Sequence, residues 1–175
     1  IRVALTQTGR TDYDGDLLVP IMPLDTYSVL RSAEDVYRKA DSLGMRVDNL
    51  DNYMELAKKG ISKWKSEGAV GLKMASNPNM PPDRKAAEDV FSKIISSTEA
   101  KGNLDNNNHL RDFLMNYIID VVGELDMVVA VHSGMWGDFR VLDSEHMIPV
   151  FTRHPNTRFD LYHLSMPSVR STVVI

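Results

Sequence analysis

Cysteine is absent from the 175 residues, which removes disulfide frameworks, thiolate metal sites and cysteine nucleophiles together. Any metal here must be held by nitrogen and oxygen. No apolar run reaches the length of a membrane span, and the opening Ile1-Arg2-Val3-Ala4-Leu5 lacks the charged, apolar and small-residue order of a signal peptide. A soluble, cytoplasmic protein is the expectation. Lysine and arginine form no block, and the net charge is −4, so the basic stripe that phosphate neutralisation requires is missing and nucleic acid is not an expected partner. The glycines make neither GxGxxG nor GxxxxGK[ST], which leaves no phosphate cradle. Ser133 lies in no Gly-x-Ser-x-Gly elbow, so its place beside His132 does not make a hydrolase triad.

What remains is an ordinary globular composition, 43% apolar and 25% charged. No long Gly-, Ser- or Pro-rich linker divides the chain, and residues 1–175 are read as one domain. That length falls short of the roughly 250 residues of a complete eight-stranded α/β barrel. A chain that begins at Ile1 and ends in Val173-Val174-Ile175 is read as part of a longer polypeptide.

From Asn49 to Lys65, Leu50, Tyr53, Met54, Ala57, Ile61 and Trp64 recur at helical steps and predict one buried helix face. Ala69 to Met74 is too short for a helix, is followed by Asn77-Pro78, and reads as a buried strand. Asp83 opens a second helix with the stripe Ala87, Val90, Phe91, Ile94 and Ile95, ended by Lys101-Gly102-Asn103. A third runs from Leu110 to Leu125, capped by Asp105 or a neighbouring Asn and closed by Asp126. Met127 to Val131 is a continuous, largely β-branched run of the kind buried in parallel sheets. A short helix over Met147 to Arg153 leads to a strand, Arg158 to Tyr162. In the first thirty residues only Arg2 to Thr6 suggests a strand, and Asp12 to Asp16 an exposed loop. Alternating helices and buried strands imply right-handed βαβ units and a mostly parallel sheet.

Lys73, His132 and His163 each stand near the carboxyl end of one of these strands, the end that carries ligand sites in α/β folds. A lone strand-end histidine is more often a hydrogen-bonded boundary residue than a ligand, and a lysine there can extend to solvent. Three such residues on one side of one sheet are a different observation. A neutral imidazole at His132 can coordinate a divalent metal, and His163 can be a second ligand or a general base. Lys73 interrupts an apolar strand, so its charge needs a partner or a water-filled space. His109, His146 and His154, at helix starts or beside Pro155, are read as solvated and are given no role.

Val129-Ala130-Val131-His132-Ser133-Gly134, followed by Trp136-Gly137-Asp138-Phe139-Arg140, resembles the fifth-strand region of the second amidohydrolase family. His154-Pro155 and Arg158 to Pro167 look like its sixth helix-strand unit, and Gly68 to Lys73 is similar to its fourth strand. The resemblance, over roughly residues 60 to 170, implies an incomplete portion of a (β/α)8 TIM barrel, a metal-dependent hydrolase domain with one or two divalent ions, zinc first among them. It implies that His132 is a metal ligand, that His163 is a ligand or a catalytic proton carrier, and that Lys73 lies where a carboxylated or substrate-contacting lysine occurs. The family's site is completed by a first-strand His-x-His and an eighth-strand Asp, and this chain contains no His-x-His. Met74 to Pro78 lacks the Tyr and Arg that some relatives carry after the fourth strand.

The expected activity is hydrolysis of an amide, ester or lactone by a metal-activated water, with His163 moving the proton. Arg140 and Arg170 are candidates for holding a substrate carboxylate, although loop arginines are usually solvated or paired with an acid such as Asp138 or Asp143. A decarboxylase or hydratase on the same scaffold, and a non-catalytic α/β domain binding a small molecule without metal, are the alternatives. Self-association into a homo-oligomer is left open.

Overall fold

The computed structural model of the chain describes residues 3–7, 17–97, 108–134, 138 and 143–174. Five strands, β1 (Ala4–Thr6), β2 (Leu18–Pro23), β3 (Gly71–Met74), β4 (Val128–His132) and β5 (Arg158–Tyr162), form one sheet in sequence order. Every neighbouring pair is parallel. The helices are α1 (Asp25–Ser28), α2 (Ala33–Ser42), α3 (Leu50–Ser66), α4 (Arg84–Ser96), α5 (Asn108–Glu124), α6 (Ile148–Arg153) and α7 (Val169–Val174). This is the parallel sheet of an α/β fold, about half of a TIM barrel. Among the described residues no helix is long and apolar enough to cross a membrane.

The chain divides into two compact units. One consists of residues 1–24, 64–77 and 119–175 and contains the whole sheet; the other, residues 25–63 and 78–118, is helical. The chain passes between them inside α3 and α5 as well as through loops, so no flexible linker marks the division.

In the helical unit α3 buries Leu50, Tyr53, Leu56, Ala57 and Ile61, with Met54 half-buried. The Tyr53 hydroxyl donates to the Tyr27 carbonyl at 3.0 Å, and its ring lies 5.6 Å from that of Phe91. Helix α2, which nothing in the sequence reading anticipated, is capped by the Ser32 hydroxyl accepting from the Asp35 N–H at 3.2 Å. Asp83 caps α4 as expected, accepting from Ala86 N–H at 3.0 Å, but that helix stops at Ser96. Lys101 to Asn103, expected to end it, and Asp105, expected to cap α5, lie outside the described residues.

Asp112 is fully buried and its carboxylate accepts the N–H groups of Asn79 and Met80 at 2.9 and 3.0 Å, with Arg111 Nη1 at 3.0 Å. These bonds fasten the proline-bearing loop before α4 to α5. Asp112→Ala would take the acceptor from two part-buried backbone hydrogen bonds; charge-assisted bonds contribute about 1.5–3 kcal/mol each, so we expect a loss near 3 kcal/mol. Urea unfolding measures it, and a change under 1 kcal/mol would remove the loop-fastening role.

Register explains the two faces of the sheet. Leu72, Met74, Val129 and Val131 are fully buried on one face, which the half-buried Phe159 and Leu161 continue. Phe151 of α6 packs its ring 4.8 Å from Phe159 on that side. On the other face one row runs Pro23, Lys73, Ala130, Asp160, and the next joins His132 to Tyr162. Side chains alternate along a strand, so all of these except the methyl of Ala130 bring bulk or polarity to the same surface.

The helix and strand assignments around β4, α6 and β5 agree with the sequence reading, and β4 and β5 are adjacent and parallel as expected. His154 does not: expected to be solvated, it is 3% exposed, and its Nδ1 lies 2.6 Å from an Asp120 carboxylate oxygen on α5. Asp12 to Asp16 lies outside the described residues.

Candidate active site

Each candidate side chain is placed by the end of a strand. Lys73 is the third of the four residues of β3, His132 closes β4, and His163 follows β5 directly. The His132 and His163 rings meet edge to face with centroids 5.0 Å apart. Two imidazole nitrogens each about 2.0–2.1 Å from one ion at a tetrahedral angle put their centroids roughly 5 Å apart, so this pair fits a shared divalent metal. Among the described residues no group of three or more His, Asp or Glu side chains converges, so a metal held by these two would need further ligands.

Lys73 Nζ is buried, has no hydrogen-bond partner among the described residues, and stands 4.0 Å above the Tyr162 ring centroid. Desolvation lowers its pKa, opposed by the negative charge of Asp160. Among the described residues no carboxylate hydrogen-bonds to it: Asp160 acts through its field, and the Tyr162 ring face lies against the ammonium. A buried ammonium without hydrogen bonds carries a desolvation cost that a bound anion would offset. His163 is held below the usual histidine range by desolvation, then by His132 and by Lys73. A neutral imidazole is the form that binds a metal.

Tyr162 was missed by sequence reasoning. Its ring lies under Lys73 and 6.2 Å from that of His163, and its hydroxyl is hydrogen-bonded to the Gln7 side chain just beyond β1. Burial, then Asp160, raise the phenol pKa, while the Gln7 bond lowers it. The signal available was register: a tyrosine two residues after Asp160 shares its face and pairs across to His132.

Ser133 was also passed over. It is buried, and its hydroxyl donates to the Tyr162 carbonyl at 2.5 Å and accepts the Ser165 N–H at 3.2 Å. The turn it meets is unusual, because His163, Leu164 and Ser165 have φ of 66°, 49° and 50°. Left-handed backbone disfavours L-residues by about 1–2 kcal/mol each, so a run of three without glycine must be held from outside.

Arg170 is exposed on α7, without an ion pair among the described residues, and is not joined to the Lys73, His132 and His163 group. Arg140 lies outside the described residues.

No protein-family model matches the chain. No curated protein matches its sequence. Its fold is similar to that of uronate isomerase from Thermotoga maritima, at 17% identity with a TM-score of 0.66 over 91% of this chain and 43% of that one. It is similar also to glucuronate isomerase from Caulobacter crescentus, at 14% identity and TM-score 0.62 over 93% of this chain and 41% of that one. The chain thus spans less than half the length of these neighbours. At such identities the likeness is one of fold, and it agrees with an incomplete TIM barrel.

Proposed function

We propose that this chain forms part of a divalent-metal-dependent enzyme acting on a carboxylate-bearing substrate, with isomerisation of a sugar acid preferred to hydrolysis. The observation that carries the reading is the cluster at the strand ends: two imidazoles 5.0 Å apart beside a buried ammonium that lacks a hydrogen bond. The fold neighbours are uronate and glucuronate isomerases, of the amidohydrolase-like TIM-barrel superfamily. That likeness moves the preferred reaction away from the hydrolysis expected from sequence while keeping the metal and the barrel.

His132 and His163 would hold the ion, zinc being the first to test. When bound, it would act as a Lewis acid toward adjacent carbonyl and hydroxyl oxygens of the substrate. Lys73 binds the substrate carboxylate, with the Tyr162 ring fixing the height of the ammonium and Gln7 fixing the phenol. Lys73 and His132 share one face of the sheet and the His163 ring meets that of His132, so a carboxylate on Lys73 would leave the rest of a small acid near the imidazole pair.

The complete polypeptide, loaded with zinc, manganese or cobalt, should convert a uronate to an isomer of the same mass, with one carbon-bound hydrogen exchanged in heavy water. Incorporation of ¹⁸O from labelled water into an amide, ester or lactone product would instead establish hydrolysis on this scaffold. Full metal loading with no turnover of any carboxylate would defeat the enzyme reading, and failure to bind metal at all would favour a binding domain.

A further inference from the structure

His163, Leu164 and Ser165 make one left-handed turn, closed by the Met166 N–H donating to the His163 carbonyl at 3.0 Å. None of the three is glycine. The Ser133 hydroxyl brackets the turn, donating to the carbonyl before it at 2.5 Å and accepting the N–H of its last residue at 3.2 Å. Ser133 is itself 1% exposed and directly follows His132. The two strand exits also touch backbone to backbone, since a Cβ on Gly134 would lie 2.5 Å from both the nitrogen and the oxygen of Met166.

We propose that Ser133 is a positioning residue: its hydroxyl holds the left-handed turn that presents His163 to His132, and so sets the geometry of the pair. One side chain, fixed at the end of β4, satisfies donors and acceptors on both sides of the turn after β5. Without it the Tyr162 carbonyl and Ser165 N–H lose their partner, and the turn can relax toward ordinary backbone, carrying the His163 ring away. The proposal rests on the two-histidine metal reading only for its consequence on metal affinity. The geometric claim stands by itself.

The test is nuclear magnetic resonance of the complete polypeptide with labelled histidine, without and with cobalt. The wild type should show a ring-to-ring nuclear Overhauser effect between His132 and His163. Ser133→Ala should lose it, and cobalt affinity should fall by about tenfold or more, as loss of a supporting residue typically causes. Adding Leu164→Gly should restore the contact, because glycine takes φ near 49° freely and Leu164 is 58% exposed, so little packing is lost. If Ser133→Ala does not fold, Ser133→Cys keeps the volume with a much weaker hydrogen bond and is read in the same way. An unchanged ring contact and unchanged cobalt affinity in these variants would overturn the proposal. So would a lost contact that Leu164→Gly fails to restore. A wild type with the rings in contact but no cobalt binding would refute the metal reading and leave the positioning role supported.

Discussion

Replacing His132 with alanine should remove bound metal and activity together while leaving the fold intact. His132 ends a strand whose preceding three residues, Val129 to Val131, are fully buried, so its imidazole is delivered from a rigid base. Coordination needs such precision. Loss of one nitrogen from an ion held by three or four protein ligands should exceed the roughly 10–100-fold effect of losing a supporting residue, so we expect more than 100-fold in affinity and in turnover. His132 is only half-buried, and its removal leaves the β4 backbone pairing unchanged, so the melting temperature should shift by less than about 3 °C, corresponding to some 1 kcal/mol. His146, exposed in the turn before α6, is the control. His146→Ala should alter neither metal nor turnover. Full metal occupancy in the His132 variant, measured by emission spectrometry after gel filtration, would show that the ligand is another residue.

The half of the fold nearest the site was legible because β4 is a largely continuous apolar run, β5 alternates polar and apolar residues, and the helices are periodic. Val128 to Val131 and Arg158 to Tyr162 fall on β4 and β5, and the parallel pairing follows from the helix between them. Strand β2 was not legible, since Pro20 and Pro23 argue against a central strand. The structure resolves the conflict: Leu18 to Pro20 are in register with β1 and Ile21 to Pro23 with β3, so neither proline has register partners on both sides. Helix α2 carried a readable cap, Ser32 before Glu34 and Asp35, but only Val36 and Ala40 are buried along it, too few to form a convincing stripe.

The site divides in the same way. Lys73, His132 and His163 could be singled out because polarity at the end of a strand is visible in one dimension. Tyr162 was hidden because an aromatic inside a strand is usually core. Ser133 was set aside because it makes no triad, and the bond that joins it to Ser165 spans 32 residues of sequence. His154 was misjudged for a related reason: proximity to Pro155 suggests a loop, whereas Asp120, 34 positions earlier, draws the imidazole inward. Local pattern identifies which residues can do chemistry; register and long-range hydrogen bonds decide which of them meet.

Lys73→Met should reduce turnover and raise stability, two effects of opposite sign from one substitution. The wild-type ammonium is buried, lacks a hydrogen bond among the described residues, and is compensated only by the Tyr162 face and the field of Asp160. Methionine keeps much of the aliphatic length over that ring and removes the desolvated charge, and exchanging a poorly paired buried ion for an apolar side chain is often neutral or stabilising. The melting temperature should therefore hold or rise by about 2–4 °C, equivalent to some 1 kcal/mol in a domain of this size. Substrate binding goes the other way. Removing one partner of a buried charge pair typically costs about 2–5 kcal/mol, which is roughly 30-fold to several thousand-fold in kcat/KM for a carboxylate substrate. The loss should be carried mainly by KM, since Lys73 is assigned to the carboxylate and not to the reacting carbons. An uncharged analogue, with an amide in place of the carboxylate, should lose little on the same substitution. A fall in melting temperature with unchanged kinetics would make Lys73 a structural residue. A fall in kcat alone, equal for acid and amide, would place it at the reacting carbons instead.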